Sequence, residues 1–77
     1  MNKIYLLIKH SNKIETDDVS IIKASYSIED LINDFNKINK NYNNQYLLIE
    51  ESFNYYKYSN KEKTYLIEIY IEEVIID

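Results

Sequence analysis

The chain has 77 residues and a formal net charge of −4 at pH 7, from 13 acidic and 9 basic side chains. That length makes one domain, residues 1–77, close to the smallest that a core can stabilise unaided, and with no cysteine it has no disulfide or thiolate site to help. Acidic charge, with lysine as the only strong base, argues against direct binding to nucleic acid or to an anionic membrane surface.

Residues 3–10, KIYLLIKH, read as a strand with Ile4, Leu6, Ile8 and His10 on one face and Lys3, Tyr5, Leu7 and Lys9 on the other. The polar stretch SNKIETDD, residues 11–18, reads as a turn. DVSIIKASY, residues 18–26, is a second strand rich in β-branched side chains, close enough to the first for an antiparallel hairpin.

A helix follows. Ile28, Leu31, Ile32, Phe35, Ile38 and Tyr42 recur at the i, i+3, i+4, i+7 spacing of one apolar stripe. Ser27 is placed as N-cap, with Asp30 able to return a bond to it. Glu29 and Asp30 at the start, and Lys37 and Lys40 near the end, suit the helix dipole. The chain contains no glycine, so within NYNNQ, residues 41–45, an asparagine is expected to take the left-handed cap.

From Tyr46 the period returns to two. Residues 46–58 read as one strand, with Leu47, Ile49, Phe53 and Tyr55 on one face, interrupted by Glu51. The other face carries Tyr46, Leu48, Glu50, Ser52, Asn54, Tyr56 and Tyr58. After a turn at SNKEK, residues 59–63, Tyr65, Ile67, Ile69 and Ile71 point one way and Leu66, Glu68, Tyr70 and Glu72 the other. The parity then flips after Glu72–Glu73, which suggests a bulge or the end of regular pairing.

The element order is therefore ββαββ. It predicts an α+β two-layer sandwich: a four-stranded, mainly antiparallel sheet with one helix on one face. The helix stripe is expected to meet Ile4, Leu6 and Ile8, one face of the second strand, and Ile67, Ile69 and Ile71. The opposite sheet face is left uncovered.

KIYLLIKH, Asp18 and IIKASYSIEDLI (residues 21–32), with Ser27 as helix cap, resemble a family of small, uncharacterised bacterial and phage domains of ββαβ type. Their pattern is a strand ending in His, a polar loop, an acidic residue, and a strand of the type I-G-x-Y-S-S running into a helix. The likeness covers about half of the chain. Ala24 stands near the family's usual glycine, the glycine-containing segment after the helix is missing, and YLIEIYIEE matches the last strand only generically. The resemblance implies the fold and no activity.

Little in the sequence supports catalysis, and a non-enzyme is expected. His10 is the single histidine, at the end of a strand on the expected core face, where a structural role outweighs that of a general base. No serine lies in a nucleophile motif, and without glycine there is no phosphate-binding loop. Of the paired carboxylates, Glu50–Glu51 and Glu72–Glu73 point to opposite strand faces and cannot converge on a cation. Asp17–Asp18 with Glu15 read as solvated loop charges. No metal and no cofactor are expected.

The remaining candidate is the uncovered face. If Tyr58 lies opposite Thr64, the cross-strand pairs there are Tyr56/Leu66, Asn54/Glu68, Ser52/Tyr70 and Glu50/Glu72. Tyrosine anchors beside carboxylates suit an interface with a basic protein, so Tyr56, Tyr58, Glu68, Tyr70 and Glu72 are the expected partner-binding residues. Genome composition offers a plainer origin for the tyrosines. Ile, Asn, Tyr, Lys, Phe and Met, all with A/T-rich codons, make up 45 of the 77 residues, as in a low-GC bacterium, its plasmids or its phages.

The functional expectation is a small acidic protein-binding module in the cytoplasm, that of the host cell if it is phage-encoded. Its most concrete form is a phage or mobile-element inhibitor of a host defence system. An anti-CRISPR-like protein held stoichiometrically on a basic surface of a nuclease complex is one example. The competing readings are an oligomeric sponge for a small molecule or nucleotide and a structural homodimer without catalytic activity. The N-terminal apolar run, Ile4–Ile8, is too short for a signal peptide's core, and no run approaches the roughly 20 residues that span a bilayer.

Overall fold

The computed structural model describes residues 2–13 and 15–76. Two long segments pair first: β1 (Asn2–Lys13) and β2 (Thr16–Ser25) form an antiparallel hairpin. The helix α1 (Ile28–Asn43) follows, then β3 (Leu47–Ser52), β4 (Tyr55–Ser59) and β5 (Tyr65–Ile76). The order is ββαβββ, and all five strands join one antiparallel sheet in the order β2-β1-β5-β4-β3. The expected four-stranded sheet in ββαββ order is thus corrected to five strands. Residues 46–58 are not one strand, because the chain turns back at Phe53–Asn54 to make the separate hairpin β3–β4. The expected turn at residues 11–18 is also shorter, since strand pairing runs on to Lys13 and resumes at Thr16.

The helix occupies the place that its apolar spacing predicts. Leu31 and Phe35 are buried, and Ile28, Ile32, Ile38 and Tyr42 pack against the same cluster. Its caps differ in detail. Ser27 adopts the extended N-cap conformation, but its hydroxyl donates to Glu29 at 2.8 Å, while Asp30 accepts from Ser25 at 3.0 Å, so the expected capping box does not form. At the other end Asn44 is right-handed (φ −82°), and the chain exits through bonds from the Gln45 and Tyr46 amides to the Tyr42 carbonyl.

Under the helix lie Leu7, Tyr58, Ile67, Ile69 and Ile71, with Tyr5, Tyr46, Leu48, Tyr56 and Tyr65 around them. Aromatic contacts tie this layer together. Phe35 stacks on Tyr56 at 4.6 Å between ring centroids, and Tyr42 meets Tyr58 edge-on at 5.3 Å. The Tyr58 hydroxyl, fully buried, donates to Asn39 on the helix, which satisfies its polar tip.

On β1 the helix side is the odd one, contrary to the expectation for Ile4, Leu6 and Ile8. Residues 4–8 are apolar on both faces, so periodicity cannot choose between them; pairing does. Leu7 stands opposite Ile71 on β5, which brings both beneath the helix. Lys9 and Lys13 share that side without cost to the core, because their stems run along it and their amines lie over the rings of Tyr42 and Tyr65, at 5.7 and 5.0 Å. Nor does β5 end after Glu73: its ladder with β1 continues without a register shift to Ile76 opposite Asn2.

Candidate functional site

One face of the sheet carries no helix. Cross-strand register assigns to it Ile4, Leu6, Ile8, His10 and Asn12 from β1, and Leu66, Glu68, Tyr70, Glu72 and Val74 from β5. Neighbouring strands add Asp17, Val19 and Ile21 from β2, Tyr55 and Lys57 from β4, and Glu50 from β3. Ile8 is buried even here, at 5% exposure, flanked by Ile21 on one side and Tyr70 on the other.

A polar chain crosses four strands at the centre of this face. His10 Nδ1 lies 2.9 Å from Glu68 Oε1, and His10 Nε2 lies 3.4 Å from Asp17 Oδ1. Asn12 donates to the same Asp17 oxygen at 2.7 Å. The Tyr55 hydroxyl donates to the second Glu68 oxygen, and Tyr55 stacks on Tyr70, its cross-strand neighbour, at 6.3 Å. Lys57 stands opposite both Glu68 and Glu50. The Tyr55 hydroxyl, then His10 and Lys57, hold the Glu68 carboxyl below its usual range, against the opposing push of burial. Burial, followed by the hydrogen bond to Glu68, pushes the Tyr55 phenol upward.

The five expected contact residues separate. Glu68, Tyr70 and Glu72 are on the open face, whereas Tyr56 and Tyr58 face the helix; Tyr58 has no exposed surface to offer a partner. The cause is register. Tyr58 stands opposite Ile67, three residues beyond the expected Thr64, and a slip by an odd number moves every side chain to the other face. Because the reversal at Phe53–Asn54 pairs β3 with β4, Glu50 meets Lys57 rather than Glu72, and opposite charges replace the expected like-charge pair.

His10, Asp17, Tyr55 and Lys57 enter the site instead. Lys57 carried the signal: it follows Phe53 and Tyr55 on the same strand face as a charge, and only the opposite parity sets it against Glu68. Among the described residues, no group of three His, Asp or Glu side chains is arranged to hold a metal ion. No helix among them is long and apolar enough to cross a membrane.

Away from this face, a shallow cleft of about 550 Å³ lies between the β1–β2 turn and the β4–β5 loop, lined by Lys13, Glu15, Thr16, Asn60, Thr64 and Tyr65. Its one lysine is engaged over the Tyr65 ring. Compared with family models, with curated proteins and with solved structures, the chain matches none.

Proposed function

We propose that this chain is a stoichiometric protein-binding module, without catalytic activity of its own, that offers the open face of its sheet to a basic surface on another protein. The observation that carries this reading is the segregation of charge between the two sides of one sheet. Asp17, Glu50, Glu68 and Glu72 stand on the open side against Lys57, a formal −3, while the helix side sets Lys3, Lys9, Lys13 and Lys23 against Asp18, Glu51 and Glu73, a formal +1. Lys3 is neutralised there by Glu73 at 2.8 Å, and Lys23 by Asp34 at 3.0 Å. Half-buried Tyr70 and Tyr55 among carboxylates supply rigid contact area beside the charge. An inhibitor encoded by a phage or mobile element, seated on the basic channel of a nuclease complex, is the most concrete partner relation of this kind.

The test compares proteins captured from the native host by the natural chain with those captured by Glu50→Lys/Glu72→Lys. Neither glutamate belongs to the His10–Glu68–Tyr55 chain, and far-UV circular dichroism checks that the fold tolerates the loss of the Glu50–Lys57 pair. A specific partner should be lost from the double variant and retained by Lys61→Glu, a reversal in the β4–β5 loop. Identical capture by all three would remove the open face from consideration.

A further inference from the structure

The sheet has two edges, β2 and β3, and they differ in one respect that bears on self-association. The β2 edge is ten residues long and exposed along all of its length except Ser25. It presents a row of peptide groups with no strand beyond it, the usual template for addition of another strand. Val19, Ile21 and Ile22 are 66%, 60% and 43% exposed on it. In a small acidic protein, three β-branched apolar side chains on an open edge are a feature to be explained.

We propose that β2 is a homodimer edge, on which a second copy of this chain pairs antiparallel about a two-fold axis perpendicular to the sheet at Ser20. With the bulged Ile22 set aside, the run Asp18, Val19, Ser20, Ile21 and Lys23 is its own complement when reversed. In that register Asp18 stands opposite the second copy's Lys23 and Val19 opposite its Ile21, each pair occurring twice, and Ser20 meets its own counterpart on the axis. An isologous interface requires this self-complementarity, and a strand added from an unrelated protein does not.

The bulge in β2 makes the pairing sterically consistent. In a regular strand, residues 18 and 23 would point to opposite faces, because they are five apart. The register shift opposite Leu7/Ile8 corrects this. Asp18 pairs with Ser11 and Lys23 with Leu7, both on the helix side, so Asp18 and Lys23 share one face and meet across the two-fold. Ile22, the extra residue, adds its side chain to the apolar centre of the joint. The β3 edge offers no such match. Its sequence LLIEES carries two glutamates and no base, and self-pairing leaves those charges without a counterpart.

The arrangement continues the sheet from one copy into the next, and the two open faces lie on the same side and adjoin across the shared edge. The pairing is independent of what the open face binds.

Sedimentation equilibrium of the full chain tests it, over roughly 10 to 500 µM, the range in which a moderate dimer shows its concentration dependence. The natural chain should approach twice its 9.3 kDa mass. Asp18→Lys alone, which sets two lysines against each other at both ends, should weaken dimerisation at least tenfold, and Lys23→Asp alone should do the same with two aspartates. The double exchange should return dimerisation to within a few-fold of the natural chain. Both Lys23 variants lose the ion pair to Asp34, so recovery in the double exchange cannot come from the monomer's own stability. Far-UV circular dichroism confirms the fold of each. A monomer at every concentration, a dimer indifferent to Asp18→Lys, or a dimer abolished instead by Leu47→Lys on β3 would each overturn the proposal.

Discussion

At the scale of single residues, Glu68 is the most constrained side chain on the open face. Tyr55 and His10 each occupy one of its oxygens, and its folded-state titration point lies below the ordinary one. A carboxyl depressed on folding adds stability at and above its unfolded value, and that stability is lost as pH falls through the folded value. Glu68→Gln should therefore cost about 1–2 kcal/mol near pH 5, the scale of a charge-assisted hydrogen bond. The gap to the natural chain should close as the pH is lowered from about 4.5 to 3, since the model-peptide value for Glu is near 4.3. Thermal melts of both proteins across that range check it, and a gap that widens in acid would contradict the assignment. Glu68, Tyr70 and Glu72 were legible as open-face residues because β5 alternates cleanly. Tyr56 and Tyr58 were not, because tyrosine suits either side of a sheet and an A/T-rich gene supplies it freely. Their apolar rings and polar tips fit a core that offers Asn39 as acceptor as well as they fit an interface.

At the scale of elements, the helix could be read from its stripe because six apolar positions at one spacing leave no alternative face. The strands were harder. A continuous run from Tyr46 to Tyr58 alternates well enough to conceal the reversal at Phe53–Asn54, where no glycine or proline marks a turn. Asparagine performs the same service in the β4–β5 loop. Asn60 accepts from the amides of Thr64 and Tyr65 at 2.9 and 3.1 Å, and its side-chain nitrogen donates to the Thr64 hydroxyl at 2.8 Å. Lys63 within that loop takes a left-handed backbone, φ 60°, which glycine adopts without the Cβ penalty. Two opposite outcomes are expected from one loop. Asn60→Ala should lower stability by about 1–2 kcal/mol, because it strands two backbone donors. Lys63→Gly should raise stability by up to about 1 kcal/mol, the relief at φ being partly offset by a freer unfolded chain. Urea midpoints read both; a stabilising Asn60→Ala would show that the loop is held by something else.

At the scale of the whole molecule, the 12-residue strands β1 and β5 run about 40 Å at the usual rise, matching the 44 Å long dimension. The 16-residue helix covers about 24 Å. The densest burial is therefore central, where Leu7, Ile67 and Ile69 lie beneath Leu31 and Phe35. Amide hydrogen exchange should be slowest in the middle of β1 and β5 and fastest along the outward edge of β3, since protection follows local burial and pairing. Uniform protection across all five strands would mean that the sheet opens only as a unit.

The pairing of β1 with β5 has a consequence for how the molecule comes into being. Every residue of β1 waits for a partner more than fifty positions away, at Tyr65–Ile76, so the central ladder is the least local contact in the fold. As the polypeptide leaves the ribosome, β1 can close on β2 at once, but the floor beneath the helix lacks its centre until Ile67, Ile69 and Ile71 arrive. Until β5 is made, the nascent chain must carry the Leu31–Phe35 stripe incompletely covered, open to solvent or to a chaperone. Its last strand in the chain is thus the first strand of its core.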